Sequence, residues 1–196
     1  MLVLILIVPL VGSLRGSVRT VKAECPAGDL NGDCQVNYLD IQVFAEQWLA
    51  PPESPADLNK NDEVGMDDFA LLAEQWHQKG IPLVINEFMA SNSSCIQDPQ
   101  GQYDDWVEIY NYGTKAFDVG GMYLTDDLSV PTKWRIPLNN PAATILPAGG
   151  YLLIWADDDT IDAGLHANFK LSADGEEIGL FDIDGSTLID GVVFLD

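Results

Sequence analysis

Residues 29–40 read Asp29-Leu30-Asn31-Gly32-Asp33-Cys34-Gln35-Val36-Asn37-Tyr38-Leu39-Asp40, and residues 57–68 read Asp57-Leu58-Asn59-Lys60-Asn61-Asp62-Glu63-Val64-Gly65-Met66-Asp67-Asp68. One pattern is written twice. Oxygen-bearing side chains stand at the first, third, fifth, ninth and twelfth places, with a glycine replacing the ninth in the second copy. A hard divalent cation takes roughly six to eight oxygens at close range, and a short loop with this spacing can wrap one. The repeat therefore predicts two calcium ions, one per loop.

Each loop runs into a segment of helical period. Ile41, Phe44, Ala45, Trp48 and Leu49 fall on one face, and Phe69, Leu72, Ala73 and Trp76 on the matching face of the second copy. Both carry Ala-Glu-Gln-Trp, at 45–48 and 73–76. Neither short copy can bury its aromatic face alone, which predicts a pseudo-twofold pair with Trp48 and Trp76 in its core. Pro51-Pro52-Glu53-Ser54-Pro55 is the expected turn between copies, because the prolines cannot continue the first helix.

Over residues 25–79 this arrangement resembles a type I dockerin, the duplicated loop-helix module that docks secreted enzymes onto cohesin domains. The resemblance implies ligands at Asp29, Asn31, Asp33, Asn37 and Asp40, then at Asp57, Asn59, Asn61, Gly65 and Asp68, with water completing the Gly65 corner. It also implies backbone carbonyl ligands at Gln35 and Glu63. The cohesin-reading places of the family hold Tyr38-Leu39 and Met66-Asp67 here, in place of a Ser/Thr-type pair, so a known recognition code does not transfer. Place six, normally glycine, holds Cys34 and Asp62, both expected in a left-handed conformation. With three carboxylate ligands against two, the first loop is expected to bind calcium more tightly.

The N-terminal end reads as an export signal. Met1 to Leu14 is almost wholly apolar, and Val21-Lys22-Ala23 precedes Glu24, which predicts a signal peptide over 1–23 and a secreted or cell-surface protein. The run is short for a membrane span of about 20 residues. Outside the cell Cys25 can pair with Cys34, a bond worth roughly 2–3 kcal/mol by loop entropy, and the alternative is two free thiols. Cys95 is left over as a free thiol. A formal net charge of −22 repels nucleic acid and anionic membranes and attracts divalent cations.

From Ile81 onward, short alternating apolar runs separated by turn residues predict an all-β sandwich. Expected strands are 83–90, 105–111, 122–125, 134–137, 151–156, 169–171, 177–182 and 188–194. The phrases Ile85-Asn86-Glu87-Phe88-Met89-Ala90-Ser91-Asn92, Asp105-Trp106-Val107-Glu108-Ile109-Tyr110-Asn111, Leu146-Pro147-Ala148-Gly149-Gly150-Tyr151-Leu152-Leu153-Ile154-Trp155-Ala156 and Ala167-Asn168-Phe169-Lys170-Leu171-Ser172 resemble the lamin tail domain, an immunoglobulin-like sandwich. That domain would cover about 83–196, and the chain is expected to stop short within it. The fold class is thus multidomain: a small α, EF-hand-like calcium module at 24–80 and an all-β immunoglobulin-like sandwich at 81–196.

A catalytic reading has little to stand on. Asn86, Glu87, Asp104, Asp105, Glu108 and Asn111 form the densest polar set of the β half, and read as turn and strand-edge residues. His77 is expected in solvent and His166 in a loop, and Asp157-Asp158-Asp159 as a solvated turn. Trp106, Trp134 and Trp155 are open between core packing and glycan stacking. The expected function is a secreted, non-catalytic docking or anchoring protein with a cohesin-like partner and a cell-surface or glycan ligand for the sandwich. The competing class is a docking subunit or front end of an extracellular polysaccharide-degrading protein.

Overall fold

The computed structural model describes residues 2–5, 17–22, 24–50 and 53–195. Of the expected leader only β1 (Leu2–Ile5) and β2 (Ser17–Lys22) are described; the cleavage point at Ala23 lies outside the described residues, as do Pro51 and Pro52 of the expected turn. The chain divides into two compact units. The smaller comprises Glu24–Pro82 together with Gly113–Lys115, and the larger holds Leu83–Tyr112 and Ala116–Asp196 with the N-terminal strands.

In the smaller unit each loop delivers the chain into a nine-residue helix, α1 (Tyr38–Glu46) and α2 (Met66–Glu74). Asn37 and Asp40 form a capping box at the start of α1, whereas Gly65 has no side chain to offer at α2. The helices end alike, with Leu49 and His77 both in the left-handed region at φ 59° and 66°. From there the copies exchange bonds: Leu49 N–H donates to the carbonyl of Val64 and His77 N–H to that of Val36, at 3.1 and 2.9 Å. Each loop is therefore closed by the tail of the other copy's helix. Val36, Phe44, Ala56, Val64 and Leu72 make the core, with Leu30, Ile41, Leu58 and Phe69 packed against it.

Two expectations about this core fail. Trp48 and Trp76 are 42% and 38% exposed, and Leu49 is 65% exposed. The helices stop at Glu46 and Glu74, so these residues lie beyond the last helical turn and leave the inward face. Phe44 and Leu72 are the apolar residues that the two helices bury, beside Asp40 and Asp68 of their first turns.

The larger unit contains β3 (Leu83–Ala90), β4 (Asp105–Asn111), β5 (Phe117–Asp118), β6 (Tyr123–Thr125), β7 (Trp134–Arg135), α3 (Pro141–Thr144), β8 (Ile145–Leu146), β9 (Tyr151–Ala156), β10 (His166–Ala167), β11 (Gly175–Phe181) and β12 (Leu188–Leu195). One sheet runs β1-β3-β4-β9-β10, a second β2-β12-β11-β6-β7, and β5 and β8 form a separate pair. All pairings are antiparallel except β9 with β10. Phe88 of β3 meets Phe194 of β12 with ring centroids 4.6 Å apart, which packs the first sheet on the second. Alternation on β4 follows the pleat: Val107 and Ile109 are fully buried, while Glu108 and Tyr110 on the other face are only partly so.

The expected strand at 169–171 is absent. His166 and Ala167 instead pair with Trp155 and Ala156, and Asp158 N–H donates to the carbonyls of both Ala167 and Phe169. On β3 the register slips by one residue at Asn86, since Ile85 faces Ile109 while Glu87 faces Glu108. The Ile85 N–H then finds its acceptor in Asp190 Oδ2 of β12, 2.9 Å away.

Candidate functional site

The first loop is organised by its own carboxylates. Asp29 accepts from the N–H groups of Asp33 and Cys34 at 3.0 and 2.9 Å, Asn31 from Asp33 at 2.9 Å, and Asp33 from Gln35 at 3.0 Å. Asp40 closes the ring, taking the N–H groups of Leu30 and Asn31 on one oxygen and that of Asn37 on the other, at 2.9, 3.2 and 2.8 Å. In the second loop Asp57 accepts from Asn61 and Asp62, Asn59 from Asn61, Asn61 from Glu63, and Asp68 from Asn59 and Gly65, all at 2.9–3.1 Å. Those six bonds repeat six of the first loop at matching places. The turns that allow this are left-handed at places four and six, with φ of 76° and 59° at Gly32 and Cys34 and of 61° and 71° at Lys60 and Asp62. Both place-six expectations are met. Cys25 and Cys34 form a disulfide across the first loop, and Cys95 is a free, exposed thiol.

Charge is crowded in these loops. Asp33, Asp40, Asp57 and Asp68 are all buried. Burial first, and then the neighbouring charges of Asp40 and Asp33, push the Asp29 carboxyl above its ordinary range despite two N–H donors. Asp33 and Asp68 go the other way. Burial opposes their ionisation, but Lys115 at Asp33 and the N–H groups of Gly65, Asn59 and Leu58 at Asp68 outweigh it. All-oxygen donors, preset loop geometry and mutual repulsion make a donor set suited to a hard dication.

The sequence-predicted ligands Asp29, Asn31, Asp33, Gln35, Asn37 and Asp40 are gathered in one loop and Asp57, Asn59, Asn61, Glu63, Gly65 and Asp68 in the other. Asn37 also serves α1, accepting the Leu39 N–H at 3.0 Å. The expected partner-reading residues open both helices: Tyr38 and Met66 are 71% and 67% exposed, Asp67 is exposed and Leu39 is half-buried. Near Met66 lies an apolar groove of about 460 Å³ lined by Ile41, Phe44, Ala45, Trp48, Met66 and Phe69.

In the sandwich unit the polar set does not converge. Asp105 and Asn111 lie at opposite ends of β4, six residues apart, or about 20 Å of strand. Asn111 donates its amide to the carbonyls of Leu146 and Pro147, Asp105 accepts from Asn92, and Asn86 donates to Glu108. Burial and the facing Glu108 raise the Glu87 carboxyl. Trp106, Trp134 and Trp155 are buried, so their rings pack in the fold and are closed to glycan stacking.

One cluster escaped the sequence reading. His166 is buried, not in an open loop, and its Nδ1 lies 2.6 Å from Asp157 Oδ2, with Asp98 close by. Asp157 is accordingly a buried partner and no solvated turn residue. Burial alone would lower the His166 pKa, but the bond to Asp157 and the charges of Asp157 and Asp98 raise it above 6.5. A histidine raised in the folded state stabilises fully below about 6.5 and loses that contribution as pH rises through the raised value. Melting of the sandwich should therefore fall as pH rises above about 6.5, and His166→Gln should flatten that slope. Thermal unfolding of both proteins over that range checks it; equal slopes would contradict the assignment.

Two facing sheets with this strand order define an immunoglobulin-like β-sandwich, preceded by a small helical unit. The chain belongs to the Lamin Tail Domain family, whose model matches residues 77–195, more than half of the 196. No curated protein matches the chain.

Proposed function

We propose that this is a secreted, non-catalytic modular protein in which two calcium ions order a dockerin-like N-terminal unit and the lamin tail domain presents an interaction surface. The observation that carries the calcium reading is the repeated set of hydrogen bonds around half-buried Asp29 and buried Asp40, Asp57 and Asp68. Two unrelated acidic turns would have no reason to share bonding place by place. Docking is favoured over a passive spacer by the exposed Tyr38 and Met66 beside the apolar groove, a face suited to a cohesin-like protein. No helix among the described residues is long and apolar enough to cross a membrane.

Calcium titration of the full chain by calorimetry tests the reading. Two binding events are expected in the unaltered protein, and one each in Asp29→Ala and Asp57→Ala. Absence of binding at millimolar calcium would end the calcium reading and with it the dockerin assignment.

A further inference from the structure

The first loop already faces a positive charge. Lys115 Nζ lies 2.6 Å from Asp33 Oδ2, and the Asp33 side chain is 1% exposed against 57% for that of the lysine. Lys115 belongs to the N-terminal unit as part of Gly113–Lys115, a strap held down at its neighbour. Thr114 donates both its N–H and its Oγ1 to the carbonyl of Gly32, at 3.1 and 2.9 Å. Gly32 sits at φ 76°, and a Cβ there would come 3.0 Å from Thr114 Cγ2, so glycine is what lets the strap lie this close. The other oxygen of Asp33 accepts from Gln35. The second loop has no counterpart. Its fifth place is the neutral Asn61, and among the described residues no ion pair joins Asp57 or Asp68.

Resting on the calcium reading above, we propose that Lys115 is a tethered competitor for the first site. Its ammonium neutralises Asp33 in the metal-free protein and is displaced from that carboxylate when calcium arrives. Asp29, Asp33 and Asp40 together with one ammonium carry the same net charge as Asp57 and Asp68. Loop one thereby loses the advantage that its carboxylates alone predict, and the two loops bind calcium with comparable affinity. A unit charge about 5 Å from a dication at near-water dielectric corresponds to roughly a tenfold change in affinity.

The test uses the full chain and calcium chloride in calorimetry, with Asp57→Ala present so that only the first site is read. Adding K115M, which keeps the stem and removes the charge, should tighten that site about tenfold, while K115R should leave it unchanged. Melting in chelator should fall for K115M, because Asp33 loses its partner. A K115M affinity equal to or weaker than that of Asp57→Ala alone would overturn the competitor role, as would a K115R site as tight as K115M. If the Asp57→Ala protein gives no calcium heat with or without K115M, while Asp29→Ala is equally silent, the calcium reading falls and the competitor with it.

Discussion

Asp40→Ala should unfold the first loop and α1 even without any metal. The Asp40 carboxylate is fully buried and takes three backbone N–H groups, those of Leu30, Asn31 and Asn37. Hydrogen bonds to a charged group are each worth about 1.5–3 kcal/mol, and a loop that opens to water recovers part of the loss, so a net cost of about 3–5 kcal/mol is expected. A unit of this size has little stability to spare. The exchange of bonds between Leu49 and Val64 and between His77 and Val36 then carries the damage into the second copy. Circular dichroism in chelator should show loss of most helical signal, and amide exchange should lose protection at both Leu49 and His77, whose N–H groups donate across the two copies. Asp40→Asn, which keeps acceptor capacity on one atom only, should fall between the two. A melting curve for Asp40→Ala matching that of the unaltered chain would show that the loops are held together by something other than their carboxylates.

The effect of Asp68→Ala should be similar in kind. It removes the acceptor for Asn59 and Gly65 in a loop without a disulfide. Calcium is expected to rescue neither variant, since the twelfth-place carboxylate is also a ligand in the proposed site. Thus the metal-free and metal-loaded experiments read one residue in two roles, and the first does not depend on the second.

How much of this was legible beforehand depends on whether local sequence or tertiary context decides a residue's place. The turns of both loops were readable because they are set by spacing within twelve residues, and the left-handed conformations at Cys34 and Asp62 follow from that spacing. Strands β3, β4 and β9 matched their expected bounds because their turns and alternation are local. Trp48 and Trp76 leave the core because the helices end at their C-caps, Gln47 and Gln75, one residue before each, and the chain then turns left-handed at Leu49 and His77, an end that no side chain announces. His166 was misread for a different reason. Its partner Asp157 lies nine positions earlier in an acidic run, and only the parallel pairing of β10 with β9 brings the two together. Lys115 was equally hidden, being 82 positions from Asp33.

The β-sandwich supplies the second large effect, at Asp190. This residue is fully buried on β12, and its Oδ2 receives the Ile85 N–H at 2.9 Å across the two sheets. The bond exists because Asn86 is an extra residue on β3, which interrupts the ladder to β4 next to Ile85. Asp190→Ala leaves a buried donor without its acceptor and removes a carboxylate that also has other partners. Together these should cost about 2–4 kcal/mol, enough to lower the sandwich melting temperature by about 8–15 °C. Asp190→Asn is isosteric and keeps one acceptor oxygen, so it should recover part of that loss. The bulge gives the prediction a second readout: if Asp190 holds the β3 slip in place, the Ala variant should lose amide protection at Ile85 before the flanking pairs Val84 with Tyr110 and Phe88 with Val107 exchange. Uniform exchange along β3 would mean that the bulge is held by the sheet itself and that Asp190 merely fills it.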